Sequence, residues 1–404
     1  MALKLKRTEG VAFVVTLAGL AAVTATAVDI FLPAQPMIGS TFGLPSGAGG
    51  VLIAAYFLGY GPGMMLWGPL ADRYGRLPPL YISLIAFVVL AVVCATTDSF
   101  EVLVAARGLQ GVAGGGGPVI ARAIARDMGG GARTVRLLTT MTAIFSAAPL
   151  LSPIVGSGLL MVFEWPSVFW ALVVFGALLI LATVLFIPET RPRTTDGAQT
   201  SPSVLNSLGI LLRARDFNVG MFLTTTVFAG YAVLLSIGAS VAEKPYGIPP
   251  QLFGFLFAVA AVASVTGSVS ARFMATRLGL ERVISTGTAI VGVAGAGFLI
   301  IGAGTPSLPV LWVVVACYLL GFGMLFPTGT AKSLEPAGRM AGLGASVLGA
   351  VQMLTGAAAA ALGAVMFDST NFALSTLMGA AGLLCLVIRA IDVAAQRNTK
   401  TPST

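Results

Sequence analysis

The sequence has no histidine, only three cysteines and few charged residues, which make up 9% of its 404 positions. A zinc site or histidine-based catalysis therefore lacks its usual ligands and its usual base. Cys94, Cys317 and Cys385 lie far apart within apolar stretches, which argues against a disulfide framework. Because soluble proteins carry roughly 25% charged residues, the scarcity of charge also argues against a set of soluble domains.

Apolar residues dominate instead, at 57% of the chain with a mean hydropathy of +0.95. Uncharged apolar runs of about 18 or more residues are typical of transmembrane helices. We predict twelve such segments, at residues 11–32, 47–69, 78–97, 102–124, 137–161, 167–187, 217–241, 251–271, 283–304, 309–331, 342–366 and 372–390. The predicted fold class is an all-α polytopic membrane protein with twelve transmembrane helices and short loops.

The basic residues indicate how the chain is oriented in the lipid bilayer. Of the 23 lysines and arginines, 21 fall on one side of the predicted spans, with Lys244 on the other side and Arg107 inside a span. The positive-inside rule then places both termini in the cytoplasm. The net charge of +8 is thus a topology signal, and no nucleic-acid partner is predicted. We expect a monomeric, multi-pass protein of the bacterial cytoplasmic (inner) membrane.

A polar segment at residues 191–216 divides the chain in the middle. We predict a six-helix N-terminal half at residues 1–190, a cytoplasmic central loop at 191–216 and a six-helix C-terminal half at 217–404. Two like halves are typical of transporters built from repeats, whose binding site lies near the midplane of the bilayer.

Two ionisable side chains lie well inside predicted spans, Asp29 in the first and Arg107 in the fourth. Placing such a group in hydrocarbon costs at least about 2.5–3.5 kcal/mol. Both are predicted at a similar depth below the outer surface, so an ion pair, direct or through water, is geometrically possible. A static pair that only holds helices together is the alternative to a role in proton coupling. Asp29 is predicted to be the only membrane-embedded carboxylate and to act on both proton and cargo.

Glycine and proline also occur inside the spans. The run GGGGPV at residues 114–119 lacks the Gly-Lys-Ser/Thr of a phosphate-binding loop and lies in an apolar segment, so nucleotide binding is not expected. Small residues allow close helix approach in lipid, and prolines can kink helices. Simple packing geometry and bendable helices both remain open as explanations.

The segment GPLADRYGR at residues 68–76 resembles the loop 2–3 signature of the major facilitator superfamily. The matching positions are Gly68, Leu70, Asp72, Arg73, Gly75 and Arg76. In that family the loop forms a charged latch that closes the cytoplasmic side. The basic residue that usually follows the second arginine is absent, because Leu77-Pro78-Pro79 stands there.

Three further segments resemble the Bcr/CflA drug-resistance branch, namely DIFLPAQP (29–36), RGLQGVAGG (107–115) and APLLSPIVG (148–156). The resemblance implies that Arg107 serves proton coupling. It also implies an antiporter motif in the fifth span that retains Pro149, Pro153 and Gly156. The expected function is proton-driven export of drug-like small molecules such as bicyclomycin or phenicols, with the proton gradient as energy source and no cofactor.

Polar and aromatic residues within spans are candidates for binding cargo together with Asp29. They are Tyr56, Tyr60, Gln110, Tyr231, Tyr318 and Gln352. Rings can stack on an apolar drug while hydroxyls and amides orient it. For each aromatic residue, packing against lipid or protein is the alternative.

Other functions compete with drug export. A facilitator that exports sugars or metabolites, or imports a nutrient, keeps the class and changes the cargo. An enzyme would need a cluster of nucleophile, base or metal ligands that the sequence does not offer. A sensor would need a soluble output domain, and a channel would need rings of charge or carbonyls.

Overall fold

The structure is a computed structural model that describes residues 10–128, 134, 137–141, 147–190, 204–302 and 304–400. All regular secondary structure in these residues is helical. The α-helices are α1 (Val11–Asp29), α2 (Gln35–Thr41), α3 (Gly50–Tyr74), α4 (Leu77–Thr96), α5 (Phe100–Gly114), α6 (Gly116–Asp127), α7 (Ala148–Leu160), α8 (Pro166–Phe186), α9 (Val204–Arg213), α10 (Arg215–Glu243), α11 (Pro250–Leu278), α12 (Leu280–Gly302), α13 (Leu308–Leu334), α14 (Ala341–Met366) and α15 (Phe372–Lys400).

Ten helical segments of the described chain are long and apolar enough to cross a membrane, and the shorter helix α7 is apolar too. The predicted all-helical membrane architecture is thereby confirmed, whereas the count of twelve crossings stays a prediction. The predicted span 102–124 corresponds to α5 and α6, which are separated only by Gly115 in a helical conformation (φ −63°, ψ −25°). The predicted span 137–161 lies partly outside the described residues.

The chain divides into two compact units. Unit 1 comprises residues 1–197 and 249–258, and unit 2 comprises residues 198–248 and 259–404. The division falls inside the predicted central loop, of which the described part contains α9. In unit 1, α1 packs against α6, α7 and α8; in unit 2, α10 packs against α13, α14 and α15. The first long helix of each unit is therefore its central element.

Close contact between α3 and α5 explains several glycines inside the spans of unit 1. A Cβ atom on Gly59 would overlap the carbonyl oxygen of Gly108, and one on Gly63 would lie 2.5 Å from the carbonyl oxygen of Val112. The backbones touch because no side chain separates them, as small residues permit in lipid. This contact places Tyr56 of α3 beside the arginine of α5.

The first apolar segment is longer than predicted. After Asp29, the last residue of α1, the chain makes a 3-10 turn at Leu32–Ala34 and continues as α2. The apolar segment Val11–Thr41 therefore places Asp29 well before its end. Helical structure continues past Pro33, since proline is tolerated in the first turn of a helix.

The helices of unit 2 also extend beyond the predicted spans. Helix α13 runs to Leu334 and α15 to Lys400, so Lys332 and Asp392 both lie within helices. The Asp392 side chain is fully buried within an apolar segment that runs to Gln396. Asp392 is thus a second buried carboxylate besides Asp29, and that Asp29 is the only membrane-embedded carboxylate stays a prediction.

Candidate functional site

Arg107 of α5 is fully buried in unit 1. Its Nη1 and Nη2 atoms both donate to the carbonyl oxygen of Ala27 at 3.4 Å, and Nη1 also donates to Oε1 of Gln110 at 2.9 Å. Its Nε atom has no hydrogen-bond partner in the part of the chain that the structure describes. The guanidinium is therefore held by α1 and by its own helix.

Three aromatic rings surround this guanidinium. The Arg107 Cζ atom lies 4.6 Å from the ring centre of Tyr56, 5.0 Å from that of Phe31 and 5.7 Å from that of Phe169. All three rings are fully buried. A desolvated cation over an aromatic face gains about 2 kcal/mol per favourable contact, so the rings partly replace a counter-ion, which Arg107 lacks among the residues described. Phe31 and Phe169 were not found from the sequence, because a phenylalanine in an apolar run carries no distinguishing signal.

Gln110 positions Arg107. It lies one turn further along α5, is fully buried, and accepts the hydrogen bond from Nη1. Its Nε2 atom donates to the carbonyl oxygen of Phe87 in α4 at 3.5 Å. Tyr56 stacks on Tyr60 with 6.3 Å between ring centres. Tyr56, Arg107 and Gln110, predicted separately as site residues, thus come together, with Tyr60 beside them.

Asp29 is also buried, with 3% of its surface exposed. It lies two residues after Ala27, whose carbonyl holds Arg107, but no ion pair or hydrogen bond joins the two side chains in the described residues. Gly156 of α7 packs against the carbonyl oxygen of Ile30, the residue next to Asp29. The direct ion pair that the sequence makes possible is therefore not formed. Asp29 is the last residue of α1, and Arg107 contacts the same helix two residues earlier, at Ala27.

Of the predicted gating residues, Pro149 and Pro153 lie in α7 together with Gly156. Gly75 directly follows α3 and adopts a left-handed backbone conformation (φ +96°). This conformation favours glycine and allows the tight turn into α4. Gly68 is in ordinary packing contact, and the Arg73 guanidinium lies 5.3 Å from the ring centre of Tyr74.

Arg76, at the start of α4, is the centre of a charged cluster that we call cluster 1, formed with Asp72, Asp127 and Glu189. Its Nη1 atom lies 2.5 Å from Oδ1 of Asp72, and its Nε atom lies 2.7 Å from Oδ2 of Asp127. Burial lowers the pKa of Arg76, but its hydrogen bonds to Asp127 and Asp72 outweigh burial and leave that pKa above its ordinary value. The arginine thus stays charged.

Glu189, from the segment PET after α8, closes cluster 1. Its carboxylate accepts from the backbone N–H groups of Arg76 at 2.9 Å and Leu77 at 3.0 Å. A carboxylate at a helix N-terminus satisfies free N–H groups and interacts favourably with the helix dipole. Leu77-Pro78-Pro79, which departs from the usual motif, forms the first turn of this helix. The missing basic residue thus leaves the arginine–carboxylate contacts in place.

Unit 2 contains a second charged cluster, cluster 2, which the sequence did not reveal. Lys332, with 2% of its side chain exposed, lies 3.1 Å from Asp216 and 3.8 Å from Asp392 and pairs with Glu281. The fully buried carboxylate of Asp392 also lies 2.5 Å from Arg389. Cluster 2 is completed by Arg215, 2.7 Å from Asp392, and by an Arg389–Glu281 pair at 2.7 Å.

The remaining predicted cargo residues belong to unit 2. Tyr318 is fully buried and donates to the carbonyl oxygen of Val227 in α10 at 3.1 Å. Tyr231 stacks on Phe322 with 4.7 Å between ring centres. Gln352 of α14 is buried, and its Nε2 atom has no partner among the residues described. Tyr318 is thus engaged in helix packing, while Gln352 retains an unused donor.

Comparison with known proteins places these features in a family. The sequence profile of the Major Facilitator Superfamily matches residues 17–364. The chain belongs to the Major Facilitator Superfamily. This facilitator is 27% identical over 386 residues to Multidrug resistance protein D of Escherichia coli (strain K12), covering 95% of this chain and 96% of that one. It is 25% identical over 377 residues to the Bicyclomycin resistance protein homolog of Haemophilus influenzae, covering 93% and 94%.

Solved structures agree on the fold of this facilitator. The xylose transporter XylE from E. coli, in a partially occluded inward open conformation, matches with a TM-score of 0.72 at 13% identity over 94% of this chain and 97% of that one. The human organic anion transporter MFSD10 matches with a TM-score of 0.64 at 19% identity, covering 94% and 99%. At these identities the likeness concerns the fold alone.

The family prediction is confirmed, including the likeness to drug-resistance relatives of the Bcr/CflA type. The facilitator is a multi-pass membrane transporter and not an enzyme. Among the described residues no group of three or more histidine, cysteine, aspartate or glutamate side chains could hold a metal ion. The roles of the individual site residues stay predictions.

Proposed function

We propose that this facilitator is a proton-coupled efflux antiporter of the bacterial cytoplasmic membrane that exports small amphipathic, drug-like compounds by alternating access. The relatives named for multidrug and bicyclomycin resistance support this choice of cargo. In the proposal the chain crosses the bilayer twelve times in two six-helix halves, with both termini in the cytoplasm. It works as a monomer, and the proton gradient is its only energy source.

The observation that carries the proposal is a fully buried guanidinium that lacks a carboxylate partner among the described residues. Burying an unpaired charge in a bilayer is costly, and Arg107 recovers only part of that cost from Ala27, Gln110 and three rings. A purely structural role would be filled at lower cost by a neutral donor. A fixed positive charge near Asp29 instead biases the charge state of that carboxylate.

In the proposed cycle Asp29 carries the proton. When its carboxylate has access to the outer water, it takes up a proton and becomes neutral, and cargo is released. When it has access to the cytoplasm, it gives up the proton, and Arg107 stabilises the resulting negative charge through space. Movement of α7 beside Ile30 changes the surroundings of Asp29. Pro149, Pro153 and Gly156 of α7 are the residues to which we assign this movement.

Cluster 1 supplies the proposed cytoplasmic latch. The turn at Gly75 and the pairs of Arg76 with Asp72 and Asp127 tie the ends of α3, α4 and α6 together. Breaking and remaking contacts of Asp72, whose side chain is 71% exposed, needs little desolvation. That carboxylate is therefore the member of the cluster best suited to exchange partners.

The test uses purified protein in liposomes that are loaded with the pH dye pyranine and have an acidic interior. Bicyclomycin, chloramphenicol and ethidium are added outside, and proton efflux is followed by the rise in dye fluorescence. Wild-type protein should release protons when at least one compound is added. Asp29→Asn and Arg107→Leu should fall to the level of protein-free liposomes, because each removes one charge of the coupling site.

Glu101→Gln is the matched control, because Glu101 is exposed at the start of α5, the helix that carries Arg107. It should behave as wild type. Proton release that persists in Asp29→Asn would refute the coupling role of that residue. If none of the three compounds releases protons or is taken up by wild-type liposomes, drug export itself is refuted.

A further inference from the structure

Four aromatic rings form one contact group near the middle of unit 2. Tyr231 and Phe322 lie 4.7 Å apart and nearly parallel (27°), and Phe322 and Phe326 lie 5.1 Å apart (26°). Phe228 completes the group at 6.2 Å from Tyr231 and 5.9 Å from Phe326. We call these residues the four-ring group; they come from the middle turns of α10 and α13.

The four-ring group is only partly enclosed. Tyr231, Phe322 and Phe326 are half-buried, unlike the rings of Phe217 and Phe298, which are fully buried. Stacked rings with accessible surface are suited to receive another flat ring in an offset stack. The group therefore has the geometry of a stacking platform.

Two unused polar groups accompany the rings. The Oγ1 atom of Thr225 and the Nε2 atom of Gln352 are buried and have no hydrogen-bond partner among the described residues. The neighbouring Thr224 shows how such a group is normally satisfied, because its hydroxyl donates to the carbonyl oxygen of Gly220 at 2.8 Å. A buried amide without a partner is costly and calls for an acceptor that arrives with a ligand.

These polar groups lie on the same part of unit 2 as the rings. Thr225 is three residues from Phe228, and residues at this spacing share one face of a helix. Gln352 is four residues from Gly356, and a Cβ atom on Gly356 would collide with the ring of Phe228. Helices α10 and α14 pack against each other, so the turn that carries Gln352 is next to the ring of Phe228.

The charge pattern indicates what kind of compound would fit. Helices α10, α13 and α14 carry charged residues only near their ends, namely Arg215, Asp216, Glu243 and Lys332. A ligand charge at the level of the rings would thus meet no counter-ion on these helices. A neutral ring with a carbonyl or nitro oxygen would instead stack on the rings and accept from the unused donors.

We propose that the four-ring group, Thr225 and Gln352 form a cargo subsite for neutral compounds that have a planar ring and a hydrogen-bond acceptor. The proposal rests on the export function above and names its substrate class. Gln352 and Thr225 bind the acceptor oxygen of the compound, and the rings of Tyr231 and Phe322 bind its plane.

The test is equilibrium binding of radiolabelled chloramphenicol to purified protein in detergent, with ethidium as a cationic comparison. Gln352→Met and Thr225→Val remove a donor at nearly constant shape and should weaken chloramphenicol binding about 5- to 10-fold. Phe322→Leu should weaken it by about 3- to 10-fold. Thr224→Val, the matched control with a hydroxyl already satisfied, should bind as wild type.

Thermal unfolding without compound separates a ligand role from a structural one. Removing an unsatisfied buried donor should leave the apparent Tm of Gln352→Met unchanged or raise it, while binding weakens. A lowered Tm, or unchanged chloramphenicol binding in Gln352→Met and Phe322→Leu, would overturn the subsite. If these variants bind normally while wild type still pumps a compound in the liposome assay, the subsite is wrong and the export function stands. If wild type pumps nothing, the export function fails first.

Discussion

The two charged clusters differ in how their charges balance. Cluster 1 places one cation, Arg76, among three carboxylates, so its formal charge is 1 − 3 = −2. Cluster 2 places Lys332, Arg389 and Arg215 among Asp216, Glu281 and Asp392, so its formal charge is 3 − 3 = 0. Each cluster joins helices of a single unit, and each is built around a buried cation.

The difference teaches what each cluster is suited to do. Cluster 2 is neutral overall and buries Lys332, Arg389 and Asp392, so removing one of these three leaves another buried charge without its partner. A cluster with excess negative charge and an exposed Asp72 can exchange partners at lower cost. We therefore interpret cluster 2 as structural and cluster 1 as the part that rearranges during transport.

The largest effect is expected when cluster 2 loses its fully buried carboxylate. Asp392→Asn leaves Arg389, Arg215 and Lys332 with too little negative charge, and breaking a buried pair costs about 3–5 kcal/mol. Unfolding can be followed with a thiol-reactive dye, because Cys94 and Cys385 are buried in the folded protein. Adding Lys332→Met to this variant should restore part of the loss by restoring the charge balance. A double variant no more stable than the single one would contradict that interpretation.

The same substitution in cluster 1 should cost less. Asp127→Asn leaves Arg76 paired with Asp72 and keeps an oxygen that can accept a hydrogen bond, so we expect a loss of about 1–2 kcal/mol. The same dye assay measures it beside Asp392→Asn. A larger loss in cluster 1 than in cluster 2 would reverse the comparison.

The smallest effect concerns the carboxylate at the start of α4. Glu189→Gln keeps one acceptor oxygen, but Glu189 accepts from Arg76 with Oε1 and from Leu77 with Oε2, so one N–H group loses its partner along with the charge at the helix N-terminus. The expected cost is about 1 kcal/mol, and the part due to charge should shrink at high salt because surface charge is screened. A salt-independent loss would show that Glu189 acts through its hydrogen bonds and not through its charge.

How much the sequence predicts depends on whether the signal is local. Asp72 and Arg76 lie four residues apart within one motif, so the sequence predicts them together. Arg107 is predicted as a site residue because it is a charge in an apolar run. Cluster 2 was missed because its six members come from four helices far apart in the chain, and a single charge near the boundary of a predicted span does not indicate which partner it contacts. Lys332 and Arg389 entered only as signs of orientation.

The same limit applied to the surroundings of the candidate site. Asp29 and Arg107 were predicted at a similar depth with an ion pair possible between them, whereas the arginine contacts the backbone of Ala27 and not the carboxylate of Asp29. Hydrophobic patterning counts residues along a helix. It does not reveal which carbonyl or ring a long side chain reaches.

The glycine contact between α3 and α5 limits how unit 1 can deform. Where Gly59 and Gly63 touch Gly108 and Val112, main chain lies against main chain, and no rotamer change can absorb a sliding motion. The two helices must then travel as one piece, and Tyr56 and Arg107, one on each, keep their spacing as they do. Hinge motion has to occur elsewhere, so spin labels placed on α3 and α5 would report a constant distance throughout a transport cycle.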